Sequence, residues 1–414
     1  VRSPSIHTIP SRPKTKTETV TAIMTRTTTS PAAQAGGAAQ SHAAVRADAL
    51  VASYERSGYA RVAPAILQPA EPFLDLSGED MRTRMFVTAD PSGRELCLRP
   101  DLTIPVSCDY LASPAAGQPA GFCYLGPVFR HRDNGASEFL QAGIESFGRS
   151  DVAATDAEMI ALGLEATAAF GVETPTIRMG DVGLFAALVR ALGLAPAWQR
   201  RLIKDFNRKS SLAHDIEELS LASSNTRPEY QGVLAALAGA DPGGARALVT
   251  DLLSIAGITA VGGRSVGEIA DRFLEQSALG AGAALPKETR ATIERFLGLS
   301  GNPAQVAKNL AALARDAGLD LNAAIALLES RTASLAARDI DIGRIGFSTN
   351  YGRGVDYYTG CVFELHDPET PDNGPLVAGG RYDGLLTRLG AKTPIPAVGF
   401  AVWIERLAAR GGVA

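Results

Sequence analysis

An α+β fold is predicted, with an antiparallel sheet flanked by helices and interrupted by a mostly helical insert. Three observations predict it. Strand–turn–strand patterns crowd the region before residue 150. Residues from about 181 to 338 are rich in Ala and Leu at helical spacing. Strand character then returns from Ile342 onward.

The elements follow in order. Residues 1–42 are rich in Thr, Ser, Pro and Ala, with one acidic residue, Glu18. Such a segment buries too little apolar surface to offset its ordering entropy, so a disordered tail is expected. Ala44 to Arg56 carries apolar residues at helical spacing and ends before Gly58. Tyr59 to Leu67 reads as an extended run broken by Pro64, which cannot donate to a sheet ladder and so belongs at an edge or interface. Met85–Thr88 and Glu95–Leu98 flank Asp90-Pro91-Ser92-Gly93 and predict a hairpin. A helix over Asp101–Leu111 has an acidic start that suits its dipole. Two strands follow, Gly121–Arg130 and Phe139–Phe147, joined by a polar turn at Asn134-Gly135. Thr155-Asp156-Ala157-Glu158 matches a capping box and predicts a helix start, with the helix running to about Phe170.

The insert is punctuated at Asp241-Pro242-Gly243, Gly262-Gly263 and Gly301-Asn302-Pro303. Strands are expected at Ile342–Ser348, Tyr357–Leu365 and Ala397–Val402, then a short helix from Trp403. The core domain is therefore expected over 43–407, with 408–414 as a short tail.

A net charge of −4 leaves no whole-chain basic footprint for nucleic acid. Cys97, Cys108, Cys123 and Cys361 lack CxxC spacing, which argues against a zinc site or a disulfide framework. A reducing cytoplasm is the simplest setting. No uninterrupted apolar run is long enough to span a bilayer, so no membrane partner is expected, and no metal or cofactor either.

Four stretches combine charge, aromatic rings and glycine. They are Cys97–Thr103, Gly126–His131 with Glu138–Glu145, Gly352–Gly360, and Gly379–Gly384. Together they fit a pocket for a small zwitterion. Gln141, Gly143 and Glu145 share one strand face, and a carboxylate there can accept an N–H or hold an ammonium. Arg130 and Arg353 offer planar donors for a carboxylate or phosphate. The competing reading is that each arginine pairs with a nearby acid, that Gly379-Gly380 is only a turn, and that His131 is structural.

In order and wording, these stretches resemble the class II histidyl-tRNA synthetase core. Leu98-Arg99-Pro100-Asp101-Leu102-Thr103 is similar to that family's LRPEGT. Phe129-Arg130-His131, Phe139-Leu140-Gln141 and Gly143-Ile144-Glu145 resemble its second motif. Arg353–Tyr358 resembles RGLDYY, Gly379–Leu385 reads GGRYDGL, and Gly399-Phe400-Ala401 with Glu405-Arg406-Leu407 resembles the third motif. Pro64 falls where the first motif places its dimer-interface proline. The resemblance implies a histidine pocket: Glu145 and Tyr358 toward the imidazole, Asp101 and Thr103 at the amino group with Gln141 and Tyr382 nearby, Arg130 and Arg353 at the carboxylate.

Four departures set the chain apart from a synthetase. The sequence given stops seven residues after Leu407, where the synthetases continue into an anticodon-reading domain. The loop between His131 and Phe139 is shorter, lacks their phosphate-holding arginine and has Arg132 for their glutamate. Trp403 stands for a glycine beside the nucleotide. Asp101-Leu102 replaces Glu-Gly. Loss of a placed cation weakens adenylyl chemistry, which is mostly charge stabilisation. This pattern is similar to the regulatory subunits of ATP phosphoribosyltransferase. That likeness implies no catalysis by this chain, no tRNA, a self-dimer through the motif-one region, and a hetero-octamer with the short catalytic subunit. Two alternatives stay open: a histidine-activating ligase and a free-standing histidine sensor.

Overall fold

The computed structural model describes residues 31–77, 79–133, 135–221 and 285–410, with isolated positions between 247 and 255. Most of the expected tail, Asn134 and the punctuation at 241–243 and 262–263 lie outside the described residues.

Twelve strands form two sheets among the described residues. The larger runs β1 (Ala60–Val62), β5 (Ala120–Phe129), β6 (Glu138–Phe147), β12 (Ala397–Trp403), β11 (Val377–Arg381), β10 (Cys361–His366), β7 (Thr176–Asp181), β9 (Ile345–Ser348) and β8 (Ser300–Gly301). Its core pairs are antiparallel, but β1 runs parallel to β5 and β7 parallel to β9, so the sheet is mixed rather than purely antiparallel. The smaller sheet orders β2 (Leu67–Pro69), β4 (Glu95–Leu98) and β3 (Val87–Ala89). The β3–β4 hairpin is the one the turn signal predicts, closed by Asp90 Oδ1 accepting from the Ser92 and Arg94 amides. The run around Pro64 splits between the edge strand β1 and the small sheet, as a proline break demands.

Among the described residues the helices with described bounds are α1 (Pro31–Arg56), α2 (Glu71–Leu76), α3 (Glu79–Arg82), α4 (Thr103–Ala112), α5 (Val152–Ala168), α6 (Val182–Ala191), α7 (Pro196–Asp205) and α8 (Lys209–Leu221). They continue with α9 (Lys287–Leu297), α10 (Pro303–Ala317), α11 (Asn322–Ala336), α12 (Leu385–Arg388) and α13 (Ile404–Arg410). Helix α1 begins inside the segment expected to be a tail. Helices α1 and α5 cover one face of the large sheet: Tyr54 meets Phe400 edge-on at 6.0 Å, and Gly163 lies against Val377, Leu365 and Phe363. Side chains alternate along a strand, so the opposite face of β6, β12 and β11 is left for the site.

Two expectations need correction. Thr155 does not start α5. The helix begins at Val152, and Thr155 donates to the Asp151 carbonyl from within its first turn. Glu158 turns away to accept from Tyr59 at 2.5 Å and Arg149 at 2.8 Å, so the box has no reciprocal partner. Gly379-Gly380 is the middle of β11, not a turn. A Cβ on Gly379 would stand 2.3 Å from the Gly399 carbonyl oxygen, so close strand packing requires the glycine. Helix α11 packs against α5, and its Arg331 is fully buried.

Candidate functional site

The site sits where β5, β6, β12 and β11 present small residues on one face. Cross-strand register sets Gly399 opposite Glu145, Ala401 opposite Gly143 and Trp403 opposite Gln141. On the other side of β12, Ala378 faces Ala401 and Gly380 faces Gly399. The glycines and alanines among them make a low floor. Around it stand Asp101 and Thr103 at the start of α4, Arg130 after β5, Arg353 and Tyr358 in the loop before β10, and Tyr382 after β11. They enclose a cavity of about 50 Å³, also lined by Met81, Tyr124 and Tyr357.

Seven of the eight residues expected at the site line this cavity; Glu145 does not. Its carboxyl lies beneath the lining at 1% exposure. It accepts from Thr103 Oγ1 at 2.7 Å, from the Tyr124 hydroxyl at 3.1 Å and from the Tyr382 hydroxyl. Burial pushes its pKa up to about 8, even though the three hydroxyls pull the other way. The carboxyl is therefore largely protonated near neutrality. Sequence reasoning missed Tyr124 as its partner. The signal was present: Tyr124 pairs with Gly143, between Gln141 and Glu145 on the same face.

The arginines are held differently. Arg130 donates Nε to the Pro100 carbonyl at 2.6 Å. Arg353 donates Nε to Glu364 Oε1 at 3.2 Å and Nη1 to the Tyr358 hydroxyl at 2.7 Å. The reading that each arginine pairs with a nearby acid thus holds for Arg353. Glu364 in turn takes His366 Nε2 at 2.9 Å. Burial alone would raise the Glu364 carboxyl, but the His366 contact and the Arg353 charge hold it at about 2. Asp101 accepts from the Ile104 amide at 3.1 Å, capping the first turn of α4, while burial raises its pKa. Gln141 is 1% exposed and its Nε2 has no hydrogen-bond partner. A buried amide without a partner costs about 1–3 kcal/mol, so this group marks a place where a polar ligand would be stabilising.

Two motif residues serve the frame. Arg99 donates to the Pro64 and Pro127 carbonyls, locking the run around Pro64 to β5. Arg381 donates Nε to Asp156 Oδ1 at 2.8 Å and Nη1 to Asp383 at 2.9 Å. Trp403 closes one side of the cavity at 8% exposure, with the Arg406 guanidinium 5.2 Å from its ring. Arg132 lies 3.5 Å over the Phe139 ring and 3.7 Å from Glu405. Among the described residues, no group of His, Cys, Asp and Glu could hold a metal ion, and no helix is long and apolar enough to cross a membrane. All four cysteines are unpaired.

Comparison with known proteins agrees with this geometry. The histidyl-tRNA synthetase family model matches residues 37–261 and 244–407. The ATP phosphoribosyltransferase regulatory subunits of Brucella ovis and Brucella abortus are each 41% identical over 349 residues. That is 84% of this chain, and 92% and 91% of theirs. A solved structure from Bacillus halodurans, described as an ATP phosphoribosyltransferase regulatory subunit/histidyl-tRNA synthetase, superposes with a TM-score of 0.60. It is 20% identical and covers 95% of this chain and 84% of its own. The histidyl-tRNA synthetase of Nostoc sp. PCC 7120 gives 0.58 at 18% identity, covering 90% of this chain and 72% of its own, and shows the fold. With the sheet, the motif order and the 41% relatives in agreement, this chain belongs to the histidyl-tRNA-synthetase-like family of ATP phosphoribosyltransferase regulatory subunits.

Proposed function

We propose that this chain is a non-catalytic partner of a separate short catalytic subunit of ATP phosphoribosyltransferase, and that its cavity takes histidine as the feedback signal of histidine biosynthesis in the cytoplasm. The observation that carries the reading is Gln141, a buried amide with an unpartnered Nε2, lining a cavity that also holds Asp101, Arg130 and Arg353. Asp101 and Thr103 would hold the ammonium and Arg130 and Arg353 the carboxylate, with Tyr358 toward the imidazole and Gln141 and Tyr382 nearby.

The cavity's 50 Å³ suits a few waters, not an amino acid. Histidine therefore has to rearrange the lining, and it reaches Glu145 only by replacing one of the hydroxyls bound to it. A ligand that binds one conformation better shifts the population toward it, which is what a regulatory signal requires. Trp403, against the floor where a nucleotide would lie in the synthetases, supports binding without adenylation.

Self-association through the region around Pro64 is supported by Ile66, Leu67, Phe86 and Val87. These are exposed apolar residues on or beside the small sheet, whose edge strands β2 and β3 are unpaired on one side. A hetero-octamer with the catalytic chains would build on that dimer, without tRNA or cofactor. Size-exclusion chromatography of the chain mixed with the short catalytic subunit tests the partnership: a co-eluting complex is expected. Histidine-dependent ATP–pyrophosphate exchange by the chain alone would instead favour a histidine-activating ligase. A chain that binds histidine but forms no complex would be a free-standing sensor.

A further inference from the structure

Arg353 lies in a loop, with no strand or helix of its own to set its direction. Its side chain is long and flexible, so its guanidinium points wherever its hydrogen bonds hold it. Two bonds do so: Tyr358 at Nη1 and Glu364 at Nε. Tyr358 already lines the cavity, whereas Glu364 does not. Glu364 is on β10 directly opposite Ala378, a floor residue, so it stands on the cavity face one row back. On its other side it faces Arg178 of β7. Its second oxygen is taken by His366, two residues along the same face and 4% exposed. The three side chains thus form one file, His366 to Glu364 to Arg353, that ends at the cavity.

We propose that Glu364 is a positioning residue for the cavity: it orients the Arg353 guanidinium to receive a ligand's carboxylate, and His366 fixes Glu364 in turn. This rests on the reading that the cavity takes an amino acid. With Nε and one Nη1 proton engaged, three of the five N–H donors of Arg353 stay free for a carboxylate. The role belongs to the acceptor oxygen of Glu364. An apolar side chain of the same length would leave the guanidinium held at Nη1 by Tyr358 alone, free to pivot about that bond, and a neutral amide would still hold it at Nε.

The test is calorimetry on the full chain, titrated with histidine and with histidinol, which lacks the carboxylate. Two variants of matched length are compared, Glu364→Gln and Glu364→Met. Histidine affinity is expected to fall about tenfold or more in Glu364→Met, the scale on which a hydrogen bond between charged groups contributes. Histidinol affinity should change by no more than about twofold, and Glu364→Gln, which keeps an acceptor oxygen, should stay within about threefold of wild type for both ligands. Equal loss of both ligands in Glu364→Met would mean a structural role, and no loss would mean none; either overturns the inference. A wild-type chain with no histidine heat defeats the underlying reading, and this proposal with it. A binding wild type with an unaffected Glu364→Met defeats the proposal alone. Should Glu364→Met lack a cooperative melt, Glu364→Asp, which retracts the acceptor by one methylene, carries the same contrast.

Discussion

Arg331 donates Nε to Asp156 Oδ2 at 2.8 Å in the middle of the protein, joining α11 to α5 through a pair that is 1% exposed on each side. The same guanidinium donates Nη1 to Asp181 Oδ2 at 2.8 Å, and Asp156 also receives Arg381. One arginine of the expected insert is therefore a fastening of the core, and through Arg381 the network reaches Tyr382 at the cavity.

Removing Arg331 takes the guanidinium from buried Asp181 and leaves buried Asp156 to Arg381 alone. Arg331→Met should cost about 3–5 kcal/mol of unfolding free energy, the usual penalty for breaking a buried pair by taking out one partner. Urea denaturation checks this as a lower midpoint at unchanged slope. An unaltered midpoint would mean that the pairing contributes nothing.

Glu145 predicts a pH dependence. Its folded pKa of about 8 lies above the ordinary 4.5. Between those values the folded chain keeps a proton that the unfolded chain has released, so this group's contribution to stability falls as pH rises across that window. Glu145→Gln is neutral throughout. Its stability relative to wild type should therefore increase from about pH 5 to about pH 8, read by denaturation at both. A constant difference between the two proteins would show that Glu145 titrates normally.

Gly399 is the floor under that carboxyl. A Cβ there would lie 1.8 Å from Glu145 Oε2 and 2.5 Å from the Ile144 carbonyl oxygen, in the middle of a paired strand. Gly399→Ala should destabilise by about 1–3 kcal/mol or more through overpacking. It should also abolish histidine heat, since Glu145 must move into the cavity. A thermal melt and a titration on the same preparation measure both effects.

Gln141 separates stability from ligand binding. Replacing its orphaned amide with an apolar side chain removes a desolvation cost of about 1–3 kcal/mol. Gln141→Leu should leave the chain as stable as wild type or more so, while weakening histidine binding. Loss of stability with binding intact would show that the amide is structural.

Much of the site was legible because its residues are chemically loud and clustered. Arg130 and Arg353 follow from charge within glycine- and ring-rich stretches, strand alternation alone put Gln141 and Glu145 on one face, and Tyr358 and Tyr382 came from the resemblance to the synthetase motifs. What escaped depended on distant packing. Strand β7, at Thr176–Asp181, runs without a break into α6 and so reads as the start of the helical insert, yet it pairs along the whole of β10. Strand β11 reads Val-Ala-Gly-Gly-Arg, a poor strand by propensity, and forms because its neighbours leave no room for side chains. That Glu145 lies beneath the lining could not be read locally, because its hydroxyl partners come from residues as far off as Thr103 and Tyr382. The Thr155 box failed because Arg149 and Tyr59 claim Glu158. No local pattern announces such competitors.

The most direct test mixes the purified chain with the short catalytic subunit and follows ATP phosphoribosyl transfer, with and without histidine. The account predicts transfer that rises when this chain is added and falls when histidine follows. Transfer indifferent to the chain, or a chain that unaided loads tRNA with histidine, would contradict it.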